Sequence, residues 1–134
     1  MATANRATIL VVDDEESVRT FVGAALGAAG YRVILSKSGW ESLSICREHD
    51  GPIDLALLDV VMPGMNGGEL REELLGLIPN IPTLFMSGHP SVEIAKYGIL
   101  TDSAHFLQKP FTNATLIQTL KNLLRGRMSS GASS

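Results

Sequence analysis

Side chains that can bind a metal ion or a phosphate group stand directly after apolar runs at several places in the chain. They are, in chain order, Asp13, Asp14, Asp59, Ser87 and Lys109. If the apolar runs are parallel strands, their carboxyl ends meet at one edge of a sheet, which is where open α/β sheets bind ligands. Carboxylates, a hydroxyl and an ammonium group around one point suit a divalent cation and a phosphoryl group.

The three aspartates predict a cation site. Carboxylates in one pocket repel one another and raise each other's pKa unless a cation lies between them. Mg²⁺ fits best, with Mn²⁺ as a substitute, because it accepts one or two carboxylates, keeps several waters and shares phosphate oxygens. Adjacent residues of an extended strand point to opposite sides, so we expect Asp13 and Asp14 not to bind the ion equally, and one of them to act through water.

Each of these residues alone also has a simpler explanation. The acidic residues 13–16 favour a helix N-terminus through the helix dipole, and Asp59 can start a turn. Ser87 and Lys109 can be ordinary residues at strand ends. Each explanation covers only its own residue, however, and none accounts for their joint placement.

Segments of helical periodicity alternate with the apolar runs, which predicts five βα units. The predicted strands are 8–12, 32–35, 53–58, 81–86 and 104–108, and the predicted helices are 15–29, 38–47, 69–77, 91–98 and 113–125. Gly30 is predicted to end the first helix in a left-handed conformation, and Ser38 to cap the second. Short connections between such units favour right-handed crossovers and a three-layer sandwich. The strand order 2-1-3-4-5 is one of two common choices, and periodicity does not decide between them.

Length and composition predict one domain in a reducing compartment. With 134 residues and 45% hydrophobic content, we expect a domain at 8–126, an N-terminal extension at 1–7 and a flexible Gly/Ser-rich tail at 127–134. The net charge of −3 without a basic run disfavours nucleic acid as a direct partner. No apolar segment approaches the roughly 20 residues of a membrane span, and residues 1–8 do not read as a signal peptide. With a single cysteine, these features favour a cytoplasmic protein that does not insert into a membrane.

The chain resembles the receiver domain of bacterial two-component response regulators, of the chemotaxis-regulator type, over about residues 8–125. The matching segments are ILVVDDEESVR, GYRV, DLALLDVVMPGMNGGEL, IPTLFMSGH and FLQKPF. The resemblance implies a flavodoxin-like fold with strand order 2-1-3-4-5. It also implies a phosphorelay protein that accepts a phosphoryl group from phosphohistidine and switches conformation, with no enzymatic activity beyond its own phosphorylation and slow self-dephosphorylation. Because MSGH with FLQKPF is also similar to receivers of hybrid sensor histidine kinases, a single-domain regulator and a hybrid-kinase module both stay open.

The resemblance assigns roles to the residues around the cation. Asp59 would be the phosphoacceptor, and Mg²⁺ would be held by Asp13, Asp14, Asp59 and the backbone carbonyl of Val61. In the family, the side chains at the positions of Val61 and His89 tune how water reaches the acyl phosphate. Valine cannot orient water, so we expect slow self-dephosphorylation, while His89 is either a shield for the site or a solvated loop residue.

The resemblance also implies a switch. Ser87 would donate a hydrogen bond to the phosphoryl group, and Lys109 would pair with it. Phe106 would be the aromatic side chain that rotates when Ser87 moves. A tyrosine is common at this position, and phenylalanine lacks its hydroxyl group. The peptide bond between Lys109 and Pro110 would be cis, as X–Pro bonds allow.

The first predicted helix carries a candidate docking face. Phe21, Ala24 and Ala28 stand on it together with two glycines, Gly23 and Gly27. Small side chains permit close approach by another helix, here from a sensor histidine kinase or a histidine phosphotransfer protein. Alanine is also simply a good helix former, but glycine is not. We expect a monomer or a weak dimer that depends on phosphorylation.

Three other functions remain as alternatives, two of them chemical and one an interaction module. A magnesium-dependent α/β phosphohydrolase would also place aspartates at strand ends, but its common haloacid-dehalogenase pattern needs a second aspartate where this chain has Val61. A flavodoxin-like nucleotide binder would need a phosphate loop rich in Ser, Thr or Gly after the first strand. The other class is a receiver-like interaction module that is never phosphorylated, and the joint presence of Asp59, Ser87 and Lys109 argues against it.

Overall fold

The computed structural model describes residues 6–99 and 105–133, with side chains described as far as residue 126. Five strands and five helices alternate in this part of the chain, as the periodicity predicted. They are β1 (Thr8–Val12), α1 (Glu16–Ala28), β2 (Arg32–Ser36), α2 (Gly39–Glu48), β3 (Leu55–Asp59), α3 (Gly67–Leu77), β4 (Thr83–Ser87), α4 (Pro90–Tyr97), β5 (His105–Gln108) and α5 (Asn113–Ser133).

The strands form one parallel sheet in the order β2-β1-β3-β4-β5. The predicted class, a doubly wound α/β sandwich, and its strand order are therefore confirmed. β2 lies on one side of β1 in the sheet, and β3, β4 and β5 follow on the other side. This reversal places the switch point, where such sheets bind ligands, between β1 and β3.

Two hydrophobic clusters cover the two faces of the sheet. Along β1, Leu10 and Val12 belong to one cluster and Ile9 and Val11 to the other, as expected for side chains that alternate across a strand. The first cluster includes buried residues of α2 and α3, and the second includes buried residues of α1 and α5. Helices thus cover both faces, which explains why β1, β3 and β4 are buried along their whole length.

Local signals place the ends of the first two helices. Gly30 follows α1 with φ of 96°, a left-handed conformation that costs glycine little, and its N–H donates to the Gly27 carbonyl at 3.0 Å. The Ser38 hydroxyl accepts from the backbone N–H of Glu41 at 3.1 Å, which caps α2. Both predicted caps are confirmed.

The structure differs from the prediction at the C-terminal end. The last helix was predicted to end at Arg125, but α5 continues to Ser133; the flexibility expected of residues 127–134 stays a prediction. No proline follows Arg125, and an isolated glycine inside a helix costs only about 1 kcal/mol relative to alanine. The other element ends agree with the predictions to within two residues, and residue 104, the predicted start of β5, lies outside the described part. Across 6–99 and 105–133, no helix is both long and apolar enough to cross a membrane.

Candidate functional site

Three carboxylates meet at the carboxyl ends of β1 and β3. Asp13 directly follows β1 and is fully buried, Asp59 is the last residue of β3 and is 5% exposed, and Asp14 is exposed. One carboxylate oxygen from each residue lies within 4.8 Å of the other two. Asp13 and Asp14 thus differ in burial, and their unequal binding of an ion stays a prediction.

Lys109 contacts the carboxylates from the end of β5. Its Nζ lies 3.1 Å from Oδ2 of Asp13 and 3.0 Å from Oδ1 of Asp59. The residue follows β5, and its backbone N–H donates to the Ser87 carbonyl at 2.8 Å. Asp59 and Asp13 therefore contact the same ammonium group, although they stand 50 and 96 positions from Lys109 in the chain.

The charges of this cluster do not balance. The pKa of Asp59 is raised to about 7, first by its burial and then by the negative charge of Asp13, while Lys109 opposes the rise without cancelling it. Burial works against the charged form of Lys109, but the Asp59 charge and the hydrogen bonds to Asp59 and Asp13 outweigh it and raise the pKa of Lys109. A further cation near the carboxylates would favour their ionised forms.

Backbone and side-chain contacts hold Asp13 rigidly. Its Oδ1 accepts from the Glu15 N–H at 2.9 Å, and its carbonyl accepts from Nη1 of Arg19 at 2.7 Å. Its own N–H donates to the Ser36 carbonyl at 3.1 Å. Asp13 is therefore fixed by β2, by the start of α1 and by Lys109, and a ligand at the site meets an oxygen whose position is set in advance.

The loop after Asp59 passes close to the start of α3. The N–H of Gly67 donates to the Val60 carbonyl at 2.9 Å, and a Cβ at Gly67 would lie only 2.4 Å from the carbonyl oxygen of Asp59. Only glycine fits this approach. Val61 is 45% exposed in the same loop, and His89 is exposed where α4 begins.

The Ser87 hydroxyl donates its hydrogen bond to a residue outside the carboxylate cluster. Ser87 ends β4 and is 1% exposed, and its hydroxyl donates to the Glu93 carboxylate in the first turn of α4. The structure thus brings Asp13, Asp14, Asp59 and Lys109 together, with the Ser87 backbone beside Lys109 and its hydroxyl turned to a different partner.

Phe106 lies in β5 and is half-buried against the first hydrophobic cluster. Its ring stacks on Phe85 with the centroids 5.4 Å apart. The peptide bond between Lys109 and Pro110 is cis, as predicted.

The three residues of the predicted docking face are all exposed on α1. Phe21 is 43% exposed, and its ring centroid lies 6.1 Å from that of Phe111. Between them opens a groove of about 430 Å³, lined by Ser17, Val18, Phe21, Lys109, Pro110 and Phe111. The groove is mainly apolar, and Lys109, which contacts Asp13 and Asp59, is part of its lining. Gly23 packs on Leu35 and belongs to the side of α1 that faces the sheet.

Sequence reasoning missed three residues that shape the site. In the sequence, Glu93 looks like any acidic residue in the first turn of a helix. Arg19 looks like any solvated residue of a helix. Gly67 stands among loop glycines, and only the distance to the Asp59 carbonyl distinguishes it from Gly68. No sequence signal marked these contacts, because each depends on how separate elements pack.

The response regulator receiver domain family matches residues 9–121 of this chain. The chain belongs to this family. It is therefore a receiver domain of two-component systems, and the fold and the acidic site agree with that membership.

Two curated relatives carry the same receiver domain within longer proteins. The chain is 39% identical over 118 residues to the sensor kinase CckA of Brucella abortus, covering 88% of this chain and 12% of that protein. It is 38% identical over 122 residues to the transcriptional regulatory protein ZraR of Escherichia coli K12, covering 91% of this chain and 27% of that protein. The receiver domain thus spans about an eighth and about a quarter of these two relatives.

Solved structures of receiver domains superpose over most of the chain. The receiver domain of the hybrid histidine kinase CckA matches with a TM-score of 0.75 and 36% identity, covering 88% of this chain and 99% of that one. The chemotaxis protein CheY4 of Vibrio cholerae matches with a TM-score of 0.75 and 29% identity, covering 88% and 98%.

The donor set of this receiver domain fits Mg²⁺. Its ligand atoms are hard carboxylate oxygens, and Mg²⁺ is bound through one or two carboxylates together with waters and phosphate oxygens. The exposed Asp14 leaves room for water on one side. The pKa of Asp59 is raised first by burial and then by the Asp13 charge, and a nearby cation would oppose this rise. Receiver domains generally bind Mg²⁺ at such an acidic pocket.

Proposed function

We propose that Asp59 of this receiver domain accepts a phosphoryl group from a phosphohistidine, and that the modification switches the conformation of the domain. The observation that carries the proposal is the position of Lys109 Nζ, which contacts both Asp59 and Asp13 beside the exposed Asp14. A nucleophile, a positive charge and a set of metal ligands then surround one point where a phosphoryl group can lie.

Asp59 is better suited than its neighbours to act as the nucleophile. Both carboxylate oxygens of Asp13 accept hydrogen bonds, Oδ1 from the Glu15 N–H and Oδ2 from Lys109. The Lys109 contact of Asp59 involves Oδ1, which leaves Oδ2 to attack. Because Asp59 is nearly buried, an incoming phosphoryl group would be transferred away from bulk water.

The transfer step forms a bond between an Asp59 oxygen and phosphorus and breaks the bond between phosphorus and the donor imidazole, which leaves with the electron pair. Lys109 neutralises charge on the phosphoryl oxygens during transfer. Asp13, Asp14, Asp59 and the Val61 carbonyl would hold Mg²⁺, which would supply further charge neutralisation and align the attacking and leaving atoms. The protein thus contributes chiefly positioning and electrostatics.

The acyl phosphate adds nearly two negative charges at Asp59, and this change can drive the switch. Lys109 is already in place to pair with the new charge, while Ser87 must turn its hydroxyl toward it. In this proposal Phe106 moves with Ser87, and the loss of its stacking on Phe85 is part of the packing change. Phe106 has no hydroxyl, so it acts through packing alone.

The partner would be a sensor histidine kinase or a histidine phosphotransfer protein in the cytoplasm. Its helices would dock on α1 at Phe21, Ala24 and Ala28 and fill the apolar groove between Phe21 and Phe111. This placement would bring the donor imidazole near the site, because Lys109, which contacts Asp59, also lines the groove. The relatives include both a sensor kinase and a transcriptional regulator, and either arrangement is compatible with this docking.

Phosphorylation by a small donor tests the proposal without knowledge of the partner. The wild type, Asp59→Asn and Asp50→Asn are incubated with acetyl phosphate, with Mg²⁺ or with a chelator, and the intact mass is measured. Asp50 is exposed and provides the same substitution away from the site. We expect one phosphoryl group on the wild type and on Asp50→Asn, only with Mg²⁺, and none on Asp59→Asn.

Two results would contradict the proposal. Wild type that stays unmodified with Mg²⁺ and excess donor would favour an interaction module that is never phosphorylated. Continuous turnover of varied phosphoesters without a stable adduct would favour a phosphohydrolase instead.

A further inference from the structure

The hydroxyl group of Ser87 is already engaged in the unphosphorylated protein. It donates to Oε1 of Glu93, and this bond joins the end of β4 to the first turn of α4. A serine hydroxyl has one proton to donate, and an ionised carboxylate can only accept. Ser87 therefore cannot donate to Glu93 and to a phosphoryl group at the same time.

The backbone around Ser87 is fixed close to the carboxylate site. Asp59 pairs with Met86 in the sheet register, so Ser87 follows directly beyond that pair. The Ser87 carbonyl accepts from the Lys109 N–H at 2.8 Å. The side chain of Ser87 can change its partner by rotation, while its backbone keeps its place beside Lys109.

Glu93 is held in position on α4. It is half-buried, and its backbone N–H donates to the His89 carbonyl at 2.9 Å in the first turn of the helix. The backbone of Glu93 is thus fixed by the first turn of α4, and its carboxylate is held by the hydrogen bond from Ser87. Its partner Ser87 is a buried residue, 1% exposed, so water has access to this hydrogen bond mainly from the Glu93 side.

We propose that Glu93 is a positioning residue that holds the Ser87 hydroxyl away from the phosphorylation site until Asp59 is modified. The inference rests on the proposed function, because it assumes that Ser87 donates to the phosphoryl group. Phosphorylation must then break the bond between Ser87 and Glu93. Since Glu93 belongs to α4, the same exchange of partners releases the first turn of α4 from the end of β4 and links the modified site to the surface of that helix.

Glu93 also has a purely structural explanation, which makes a different prediction. An acidic residue in the first turn stabilises a helix through the helix dipole, whatever Ser87 does. If this were its only role, substitution of Glu93 would have the same effect with or without the Ser87 hydroxyl. A double-mutant cycle between the two residues separates the two explanations.

The experiment measures binding of beryllofluoride, a phosphoryl mimic, to the full chain in the presence of Mg²⁺ by calorimetry. Loss of a hydrogen bond to a charged group from the unliganded state alone should tighten binding by roughly tenfold or more. We therefore expect Glu93→Ala to bind about tenfold more tightly than the wild type. Glu93→Gln, whose amide oxygen still accepts but carries no charge, should give an intermediate affinity.

The Ser87→Ala background decides whether Glu93 acts through Ser87. Ser87→Ala should weaken binding by itself, and adding Glu93→Ala to it should change nothing further. Glu73→Ala, which removes an exposed carboxylate from α3, should bind like the wild type. The inference would be overturned if Glu93→Ala tightened binding equally in the wild type and in Ser87→Ala. It would also be overturned if neither Glu93→Ala nor Glu93→Gln tightened binding. Either result leaves the proposed function intact.

The proposed function fails on a different result in the same experiment. If the wild type does not bind beryllofluoride with Mg²⁺, or if Asp59→Asn binds it equally well, Asp59 is not the acceptor and the inference about Glu93 falls with it. Binding by the wild type that Asp59→Asn abolishes keeps the acceptor assignment, and the cycle with Ser87 then tests Glu93 alone.

Discussion

Replacing Asp59 by asparagine should make the metal-free protein more stable at neutral pH. Asp59 is nearly buried beside Asp13, and both share one ammonium group, that of Lys109. An asparagine has the same shape, can still accept from Lys109 and carries no charge. The substitution therefore removes repulsion from the folded protein at little cost in packing.

The size of the effect follows from the pKa of Asp59. Burial and the Asp13 charge raise it from 3.8 to about 7 in the folded protein, and each pH unit corresponds to about 1.4 kcal/mol, which sets an upper limit of roughly 4 kcal/mol. Relaxation and water entry reduce such costs in real proteins, so we expect a gain of about 2 kcal/mol at pH 7.5.

The pH dependence has a definite sign. Because the pKa of Asp59 is raised, the folded state binds more protons than the unfolded state between pH 3.8 and about 7, and the free energy of unfolding of the wild type falls as the pH rises through this window. Asp59→Asn lacks this contribution. Its advantage over the wild type should be near zero at pH 4, grow through the window and stay constant above about pH 7.

Urea denaturation with a chelator present, at several pH values, measures this difference. Asp50→Asn makes the same substitution at an exposed carboxylate and should lie within about 0.5 kcal/mol of the wild type throughout. Added Mg²⁺ should stabilise the wild type more than Asp59→Asn and so narrow the gap. A wild type that is as stable as Asp59→Asn at pH 7.5 without metal would refute the claim that uncompensated negative charge collects at the site.

Three further predictions test the surroundings of Asp59. Gly67→Ala should destabilise the protein by about 2 kcal/mol, because its Cβ would meet the Asp59 carbonyl; thermal unfolding measures this, and an unchanged midpoint would contradict the close approach. Val61→Asn should speed phosphate loss from the modified protein by roughly tenfold, because an amide can orient water where valine cannot; equal half-lives would remove this role. Ala24→Glu should slow transfer from a phosphohistidine donor by about tenfold and leave phosphorylation by acetyl phosphate unchanged; equal slowing of both would reject docking on α1.

Much of the fold could be predicted from the residues, because local features mark it. β1 and β3 are continuous apolar runs of the kind that suits strands buried on both faces, and Gly30 and Ser38 mark helix ends through their backbone chemistry. The strand order was not available from periodicity. It came from the resemblance of the motifs around Asp59 and Lys109, since parallel strands of this kind fit more than one order.

The site was predictable in its members but not in all of its contacts. Asp59 ends a strand and Asp13 and Lys109 directly follow strands, and the topology of a parallel sheet is enough to bring them to one edge. The bond between Ser87 and Glu93 depends on one side-chain rotation and on the packing of α4, which leave no trace in the spacing of residues. The approach of Gly67 to the Asp59 carbonyl likewise exists only in three dimensions.

Chemical trapping of the acyl phosphate tests the central claim most directly. The protein is treated with acetyl phosphate and Mg²⁺ and then reduced with borohydride, which converts an aspartyl phosphate to homoserine, and peptide mass spectrometry locates the change. We predict homoserine at position 59 only, and none when Mg²⁺ is removed. Homoserine at Asp13 or Asp14, or no conversion under conditions that add phosphate to the protein, would show that Asp59 is not the residue that carries the phosphoryl group.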